Sequence, residues 1–173
     1  MKELVRVFSQ IALSRQGPQD LPASAVLLGL TVLAYMLVNL FIGLALPPVE
    51  GPWLVHVLVD AGFTLGWYAV LLRLFRKQER FLQTTTAMFG YQLVLSPLSI
   101  AAIYLSRRFA DNDVLLFPAT IIGLALAIWI IRAGGHILKA ALELPMPACV
   151  ALVIMQILAG QLLLVALLPE SPP

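Results

Sequence analysis

Charged side chains are scarce in this chain of 173 residues. Only 12% of its residues are charged and 61% are hydrophobic, whereas a soluble domain typically has about 25% charged and about 45–50% apolar residues. A soluble protein of this size could not hide so much apolar surface from water. The net charge of +2 is too small to indicate nucleic-acid binding, which needs a concentrated basic face. The composition therefore predicts a membrane protein.

The residues that metal and catalytic sites need are almost absent. Cys149 is the only cysteine, and His56 and His136 are the only histidines. One cysteine cannot form an internal disulfide, and it cannot supply the usual ligand count of a metal site. No HExxH, CxxC, GxGxxG, GxxxxGK[ST] or GxSxG motif occurs. We therefore expect no metal, no cofactor and no catalytic residues, and we do not predict an enzyme.

Five long apolar segments dominate what is present. A helix needs about 20 residues, with a range of about 17–25, to cross the hydrocarbon core of a bilayer. Lipid cannot satisfy bare backbone groups, and no alternating barrel pattern occurs, so helices are the expected element. We predict an all-α polytopic helix bundle with a transmembrane domain at residues 20–168, whose spans are about 24–46, 53–75, 84–105, 114–131 and 148–168. The fourth span is the shortest, and its helix can continue through Arg132 to Leu142 along or beneath the membrane interface.

The flanking segments differ from the spans. Within residues 1–19, apolar residues recur at helical spacing between basic ones: Leu4, Val5, Phe8, Ile11 and Ala12. This pattern predicts a short amphipathic helix at the cytoplasmic membrane interface. A cytoplasmic extension of the first span is the alternative. The tail at 169–173 is expected to be disordered.

Proline, glycine and threonine mark expected breaks. Residues 47–52, with three prolines and one glycine, predict a turn between the first two spans. Thr84–Thr86 are expected to cap the third span, and the pair Gly134–Gly135 is expected to bend or end the fourth helix. Pro97 should kink the third helix by freeing the carbonyl of Leu93, which a nearby serine hydroxyl (Ser96 or Ser99) can bind instead.

Lysine and arginine placement predicts the orientation. With the N-terminus in the cytoplasm, nine of the 11 basic residues are cytoplasmic: Lys2, Arg6, Arg15, Arg73, Arg76, Lys77, Arg80, Arg132 and Lys139. Arg107 and Arg108 then lie outside, as does the C-terminus. The cluster after the second span (Arg73, Arg76, Lys77 and Arg80) is either a topology signal or a patch that binds anionic lipid headgroups.

Asp60 is the most informative polar residue. It lies seven positions into the second span, roughly 10 Å below its outer end, where a carboxylate is costly and should face the bundle or a water-filled cavity. His56 and Thr64, one turn to either side, share its face. Asn39 and Gln161 lie at similar depth in the first and fifth spans. These five residues predict a site that binds a ligand or handles protons, or else buried groups that hold helices together.

Depth counting adds further polar residues to this arrangement. Ser99 and Thr120 fall in the same layer as Asp60, and Gln92 and Gln156 form a second layer nearer the inner ends of their helices. Both layers are expected to face the centre of the bundle, since polar groups avoid lipid.

Small residues indicate close helix contacts. Gly62 and Gly66 form a GxxxG motif, and Gly123 with Ala119 and Ala127 repeats this spacing. We expect ordinary packing within one subunit, with a homodimer seam as the alternative.

Several parts of the chain carry a family resemblance: the stretch Thr84–Gln92 (TTTAMFGYQ), Pro97 beyond it, and the regions 128–142 and 148–168. In these parts the chain resembles the Yip1 family of small five-helix membrane proteins, in its bacterial branch. The resemblance covers roughly residues 20–168. Eukaryotic members take part in vesicle traffic through protein partners, and the family has no agreed catalytic residues. The chain lacks their long cytoplasmic N-terminal region, and its compact loops favour a bacterial inner membrane. The resemblance thus implies an interaction or membrane-organising role.

The leading functional interpretation is therefore a non-catalytic interaction, scaffold or membrane-organising role within a membrane complex. Its expected partners are the lipid bilayer and other membrane proteins or a second copy of the chain, with no nucleic acid. The alternative is a small transporter or proton-linked channel that uses Asp60 and His56.

Overall fold

The computed structural model of the protein describes residues 2–45 and 53–167. These residues form six α-helices and no strand: α1 (Lys2–Ala12), α2 (Ala25–Ala45), α3 (Trp53–Leu74), α4 (Phe81–Arg108), α5 (Asp113–Leu142) and α6 (Met146–Leu167). Helices α2 to α6 are all long and apolar enough to cross a membrane. The predicted all-α bundle with five spanning helices is confirmed, and the chain is a multi-pass membrane protein. The predicted turn at 47–52 and the tail at 169–173 lie outside the described residues.

Burial divides the bundle into two halves. Helix α4 is central and packs against α1, α2, α3 and α5, while α6 packs against α5 and α3. The largest buried cluster joins α1 to the segments 68–72, 87–95, 133–142 and 149–153, which we call the packed half. In the other half most side chains of 114–128 are exposed, as apolar side chains that face lipid would be.

Helix α1 is a separate helix that packs on the bundle. Phe8 and Ala12 are buried, and the indole nitrogen of Trp129 donates to the carbonyl of Ala12 at 2.8 Å. The ring of Phe8 fills the space beside Gly90, where a Cβ would lie 2.2 Å from the ring. Because residues 13–24 separate α1 from α2, the alternative of a continuous first helix is wrong.

Helix α4 is longer than the apolar segment predicted, and α5 continues beyond its apolar segment to Leu142, as the sequence allowed. Thr84–Thr86 lie inside α4, fully buried, and do not cap it. Helix α5 continues through Gly134–Gly135 to Leu142, so the glycine pair does not end it. A Cβ at Gly134 would lie 3.3 Å from both the Tyr91 hydroxyl and the Val153 side chain. The pair therefore allows α4 and α6 to approach α5 closely.

Pro97 lies within α4, which continues on both sides of it. The hydroxyl of Ser96 donates to the carbonyl of Leu93 at 2.7 Å, replacing the bond that Pro97 cannot make. The predicted repair by Ser96 is confirmed. Ser99 instead donates to the carbonyl of Leu95 at 3.2 Å.

The turn between α3 and α4 is tied to the end of α5. Lys77 and Arg80 pair with Glu143 at 2.9 and 2.7 Å, and these hydrogen bonds hold the pKa of the Glu143 carboxyl below its usual value. Arg80 also donates to the carbonyls of Ala140 and Ala141. Arg80 thereby binds the terminal carbonyls that a helix leaves unsatisfied.

Candidate functional site: an intramembrane polar cavity

A cavity of about 170 Å³ lies between the spanning helices. Its polar lining comes from four of them: Tyr35 of α2, Asp60, Thr64 and Tyr68 of α3, Tyr91 and Gln92 of α4, and Gln156 and Gln161 of α6. Helix α5 contributes Ile130. Tyr35 and Gln156 lie near the midpoints of their helices, so the cavity sits midway along the bundle. Its volume is many times the roughly 10–15 Å³ that one water molecule needs.

The spacing of polar residues along α3 builds one wall. Asp60, Thr64 and Tyr68 are four residues apart and therefore share one face of the helix. Thr64 and Tyr68 are buried, since polar groups that faced lipid would be costly. On α6, a Cβ at Gly160 would lie 3.3 Å from the ring of Phe63, so the glycine lets the two helices approach beside the cavity.

Asp60 is held by a tyrosine from the neighbouring helix. The Tyr35 hydroxyl donates to the Asp60 Oδ2 atom at 2.6 Å, a length typical of a charge-assisted hydrogen bond. The Tyr35 ring packs edge-on against Phe89 of α4, with centroids 5.0 Å apart. The ring is therefore fixed from two sides, and the carboxylate is joined to both α2 and α3.

A second hydrogen-bonded group joins α3 to α6. The Tyr68 hydroxyl donates to the Gln156 Oε1 atom, and the Gln156 amide nitrogen donates to the Thr64 hydroxyl at 3.4 Å. Gln92 and Gln161 line the same cavity, and neither side chain makes a hydrogen bond to another described residue. Part of the polar set thus links helices, while the rest faces open space.

The cavity unites side chains that were predicted in two separate layers. Asp60, Thr64 and Gln161 come from the predicted site, and Gln92 and Gln156 come from the predicted inner layer. One cavity therefore contains residues of both predicted layers.

Other predicted members do not line the cavity. Asn39, Ser99 and Thr120 each donate to the carbonyl four residues earlier in their own helix, and such local bonds need no partner across the bundle. The His56 ring stacks on Trp53 with centroids 5.8 Å apart and is not part of the cavity lining. His56 and Asn39 therefore belong to the adjoining ends of α2 and α3.

Three tyrosines of the cavity were missed from the sequence: Tyr35, Tyr68 and Tyr91. Tyrosines of membrane proteins are enriched at the interfaces, whereas these three lie well inside their helices. A buried tyrosine hydroxyl usually finds a hydrogen-bond partner. Their position within the spans was the signal that could have identified them.

Among the residues that the structure describes, no close helix contact is found at the three predicted glycines. A Cβ at Gly62, Gly66 or Gly123 would meet no atom within 4 Å. Gly62 and Gly66 are exposed, together with Leu58 and Val70 at the same spacing of four residues. We call these four residues the α3 ridge. It faces away from the other described helices and offers a shallow surface to lipid or to another protein.

The chemistry available in the cavity is binding and proton exchange. The lining holds one carboxylate, three phenols, three amides and one aliphatic hydroxyl, and no lysine, arginine or histidine among the described residues. No group of three or more potential metal ligands (His, Cys, Asp or Glu) occurs in residues 2–45 and 53–167. The set can therefore accept hydrogen bonds from a polar solute and carry one negative charge.

Comparisons of the chain with protein-family models, with curated proteins and with solved structures found no match.

Proposed function

We propose that the protein is a small transporter or proton-linked channel that binds a polar solute in the cavity around Asp60. The observation that supports this is the open cavity itself, which polar side chains from four helices surround midway along the bundle. Groups that served only to join helices would be expected to close against one another, because an unpaired polar group is costly away from water. The cavity therefore favours this function over the scaffold role that the sequence alone put first. No catalytic step is proposed.

Asp60 and Tyr35 are the proposed coupling pair. Loss or gain of a proton by Asp60 changes the only formal charge in the described lining. It also changes the strength of the hydrogen bond from Tyr35, because bonds to an ionised acceptor are stronger. The pair joins α2 to α3, so its proton state can bias how these helices pack.

The test is solute entry into liposomes that contain the purified full-length protein. Swelling in isosmotic ethylammonium chloride, urea or sodium formate is followed by light scattering, with and without a pH gradient. An ionophore for the counter-ion is present with each salt, so that entry of the charged solute is electrically balanced. At least one solute should enter faster than it enters empty liposomes. Asp60→Asn should reduce that rate at least tenfold while leaving thermal unfolding unchanged. Ser99→Ala, which alters a polar residue outside the cavity, should retain the wild-type rate of solute entry.

Either of two outcomes would overturn the proposal. Wild-type liposomes that admit no solute faster than empty ones would exclude transport of these classes. An Asp60→Asn variant that folds normally and transports like the wild type would show that transport does not use the cavity.

The second candidate is the non-catalytic interaction or scaffold role, and the α3 ridge supports it. Gly62 and Gly66 leave a shallow surface that another helix can approach closely. Mild-detergent purification at native expression, with mass spectrometry, should then recover a stoichiometric membrane partner or a second copy. The Gly62→Leu variant should lose this partner or second copy. Gly29→Leu, at another exposed glycine with no atom within 4 Å, should retain it. Recovery of the chain alone would contradict this candidate.

We further propose that the packed half faces the cytoplasm of a bacterial inner membrane. Arg73 and Arg76 at that end are exposed and form no ion pair with other described residues, so they suit contact with anionic headgroups. Membership of the Yip1 family is a proposal of the same kind. It is supported by five spans and by the stretch Thr84–Gln92 with Pro97 beyond it.

A further inference from the structure

The cavity contains one ionisable acid and no balancing charge. Asp60 is the only acidic residue in its lining, which has no lysine, arginine or histidine within the described part of the chain. Tyr35 donates to one carboxylate oxygen, and no described residue donates to the other. A carboxylate removed from water is unfavourable unless it is protonated or paired with a cation. The negative charge of Asp60 is therefore balanced only when the cavity holds a proton or a positively charged ligand.

The remaining lining groups favour one kind of cation. A divalent metal ion such as Ca²⁺ takes about six to eight oxygen ligands and often several carboxylates, and only one carboxylate is present. A primary ammonium instead has three N–H donors. The amides of Gln92 and Gln161 provide oxygen acceptors in the same lining, and neither is occupied by a hydrogen bond to a described residue.

Aromatic and aliphatic groups complete the lining. The rings of Tyr68 and Tyr91 border the cavity, with Ile130 and Val153 beside them. Aromatic faces attract ammonium groups, more strongly when water is excluded, and aliphatic side chains suit a short alkyl body. The volume of about 170 Å³ exceeds what a bare ion would fill.

We propose that the cavity binds a small organic ammonium ion. Its N–H groups donate to Asp60 and to the amide oxygens, and its alkyl body packs against the tyrosine rings. The inference rests on the proposed function only in that the cavity takes a ligand, because binding does not require transport.

The binding test uses the purified full-length protein and ethylammonium chloride as the probe. Thermal unfolding is measured at fixed ionic strength as ethylammonium replaces sodium, and separately with urea as a small neutral solute. Ethylammonium should raise the unfolding temperature saturably, because a ligand that binds only the folded state stabilises it. Sodium and urea should give no saturable rise. Equal effects of ethylammonium and sodium would overturn the inference.

Two variants connect this binding to the cavity. Asp60→Asn should weaken ethylammonium binding at least tenfold, and Ser99→Ala should leave it unchanged. If Asp60→Asn does not fold, Gln161→Ala takes its place, and a severalfold loss of affinity is expected. Unchanged affinity in a folded cavity variant would show that ethylammonium binds elsewhere.

The liposome assay separates this inference from the transport proposal. Entry of urea without entry or binding of ethylammonium would leave transport standing and overturn the ammonium site. Saturable ethylammonium binding that depends on Asp60, without movement of any solute, would overturn transport and support the site.

Discussion

At the residue scale, glycines with similar sequence surroundings have opposite roles. Gly90 lies against the Phe8 ring and brings α1 onto α4, whereas Gly62 faces open space. Both lie within long apolar helices, so the difference arises from what packs beside each one. The Gly90 contact is part of the packed half, and the Gly62 position is part of the α3 ridge.

Gly90→Ala should destabilise the protein. The added methyl group would lie 2.2 Å from the Phe8 ring, and an overpacked core typically costs about 1–3 kcal/mol. Gly62→Ala is the matched control and should not destabilise the protein, because nothing lies within 4 Å of the added methyl group and alanine favours a helix over glycine. Thermal unfolding in detergent measures both variants. Equal losses would mean that Phe8 does not pack against Gly90.

At the scale of single elements, α4 shows how a spanning helix tolerates proline. Pro97 removes one backbone donor, and Ser96 supplies a hydroxyl to the carbonyl of Leu93. In lipid such a repair matters because no water is available to bind the freed carbonyl. Ser99 makes a similar bond to Leu95, but that carbonyl can also receive the backbone N–H of residue 99.

Ser96→Ala should therefore be more harmful than Ser99→Ala. The first change leaves the Leu93 carbonyl without its donor, at a cost of about 1–3 kcal/mol. The second removes a redundant bond and should cost less than about 0.5 kcal/mol. Unfolding of the two variants in the same detergent is the measurement. Equal stability of the two would show that the Pro97 region obtains its bonding elsewhere.

At the scale of the whole molecule, five helices surround a polar centre and expose an apolar exterior. The packed half holds α1 and most of the exposed basic side chains, whereas the opposite half is apolar and loosely packed. Most exposed basic side chains therefore lie at one end of the bundle, the end that is proposed to face the cytoplasm. The proposed orientation therefore predicts which end of the bundle faces the cytoplasm and which end faces the outside.

Cysteine labelling tests that orientation. Cys149 is fully buried, so background labelling should be low. Gln78→Cys and Asp111→Cys place a thiol at exposed positions near opposite ends of α4. A membrane-impermeant maleimide applied to intact bacterial cells should label Asp111→Cys directly, and Gln78→Cys only after permeabilisation. The reverse pattern would put the N-terminus outside.

The number of spans follows from local properties of the sequence. The length of each apolar segment matches the thickness of the hydrocarbon core of a bilayer, and backbone groups in lipid must form hydrogen bonds within their own helix. The sequence left the end of the fourth helix open. Helix α5 does continue past Arg132 to Leu142, because Ala133, Ile137 and Leu138 are buried against protein beyond the end of the apolar segment.

The sequence by itself determined the all-helical class, the five apolar spans and the repair at Pro97, since each depends on neighbours along one helix. It also placed Asp60 and Thr64 on one face, because four residues make about one turn. Only the tertiary structure decided that Gln92 and Gln156 line the same cavity as Asp60 while Thr120 stays exposed. Counting residues gives a height along a helix. The rotation of that helix, and therefore which side chains meet across the bundle, depends on packing between segments far apart in the chain.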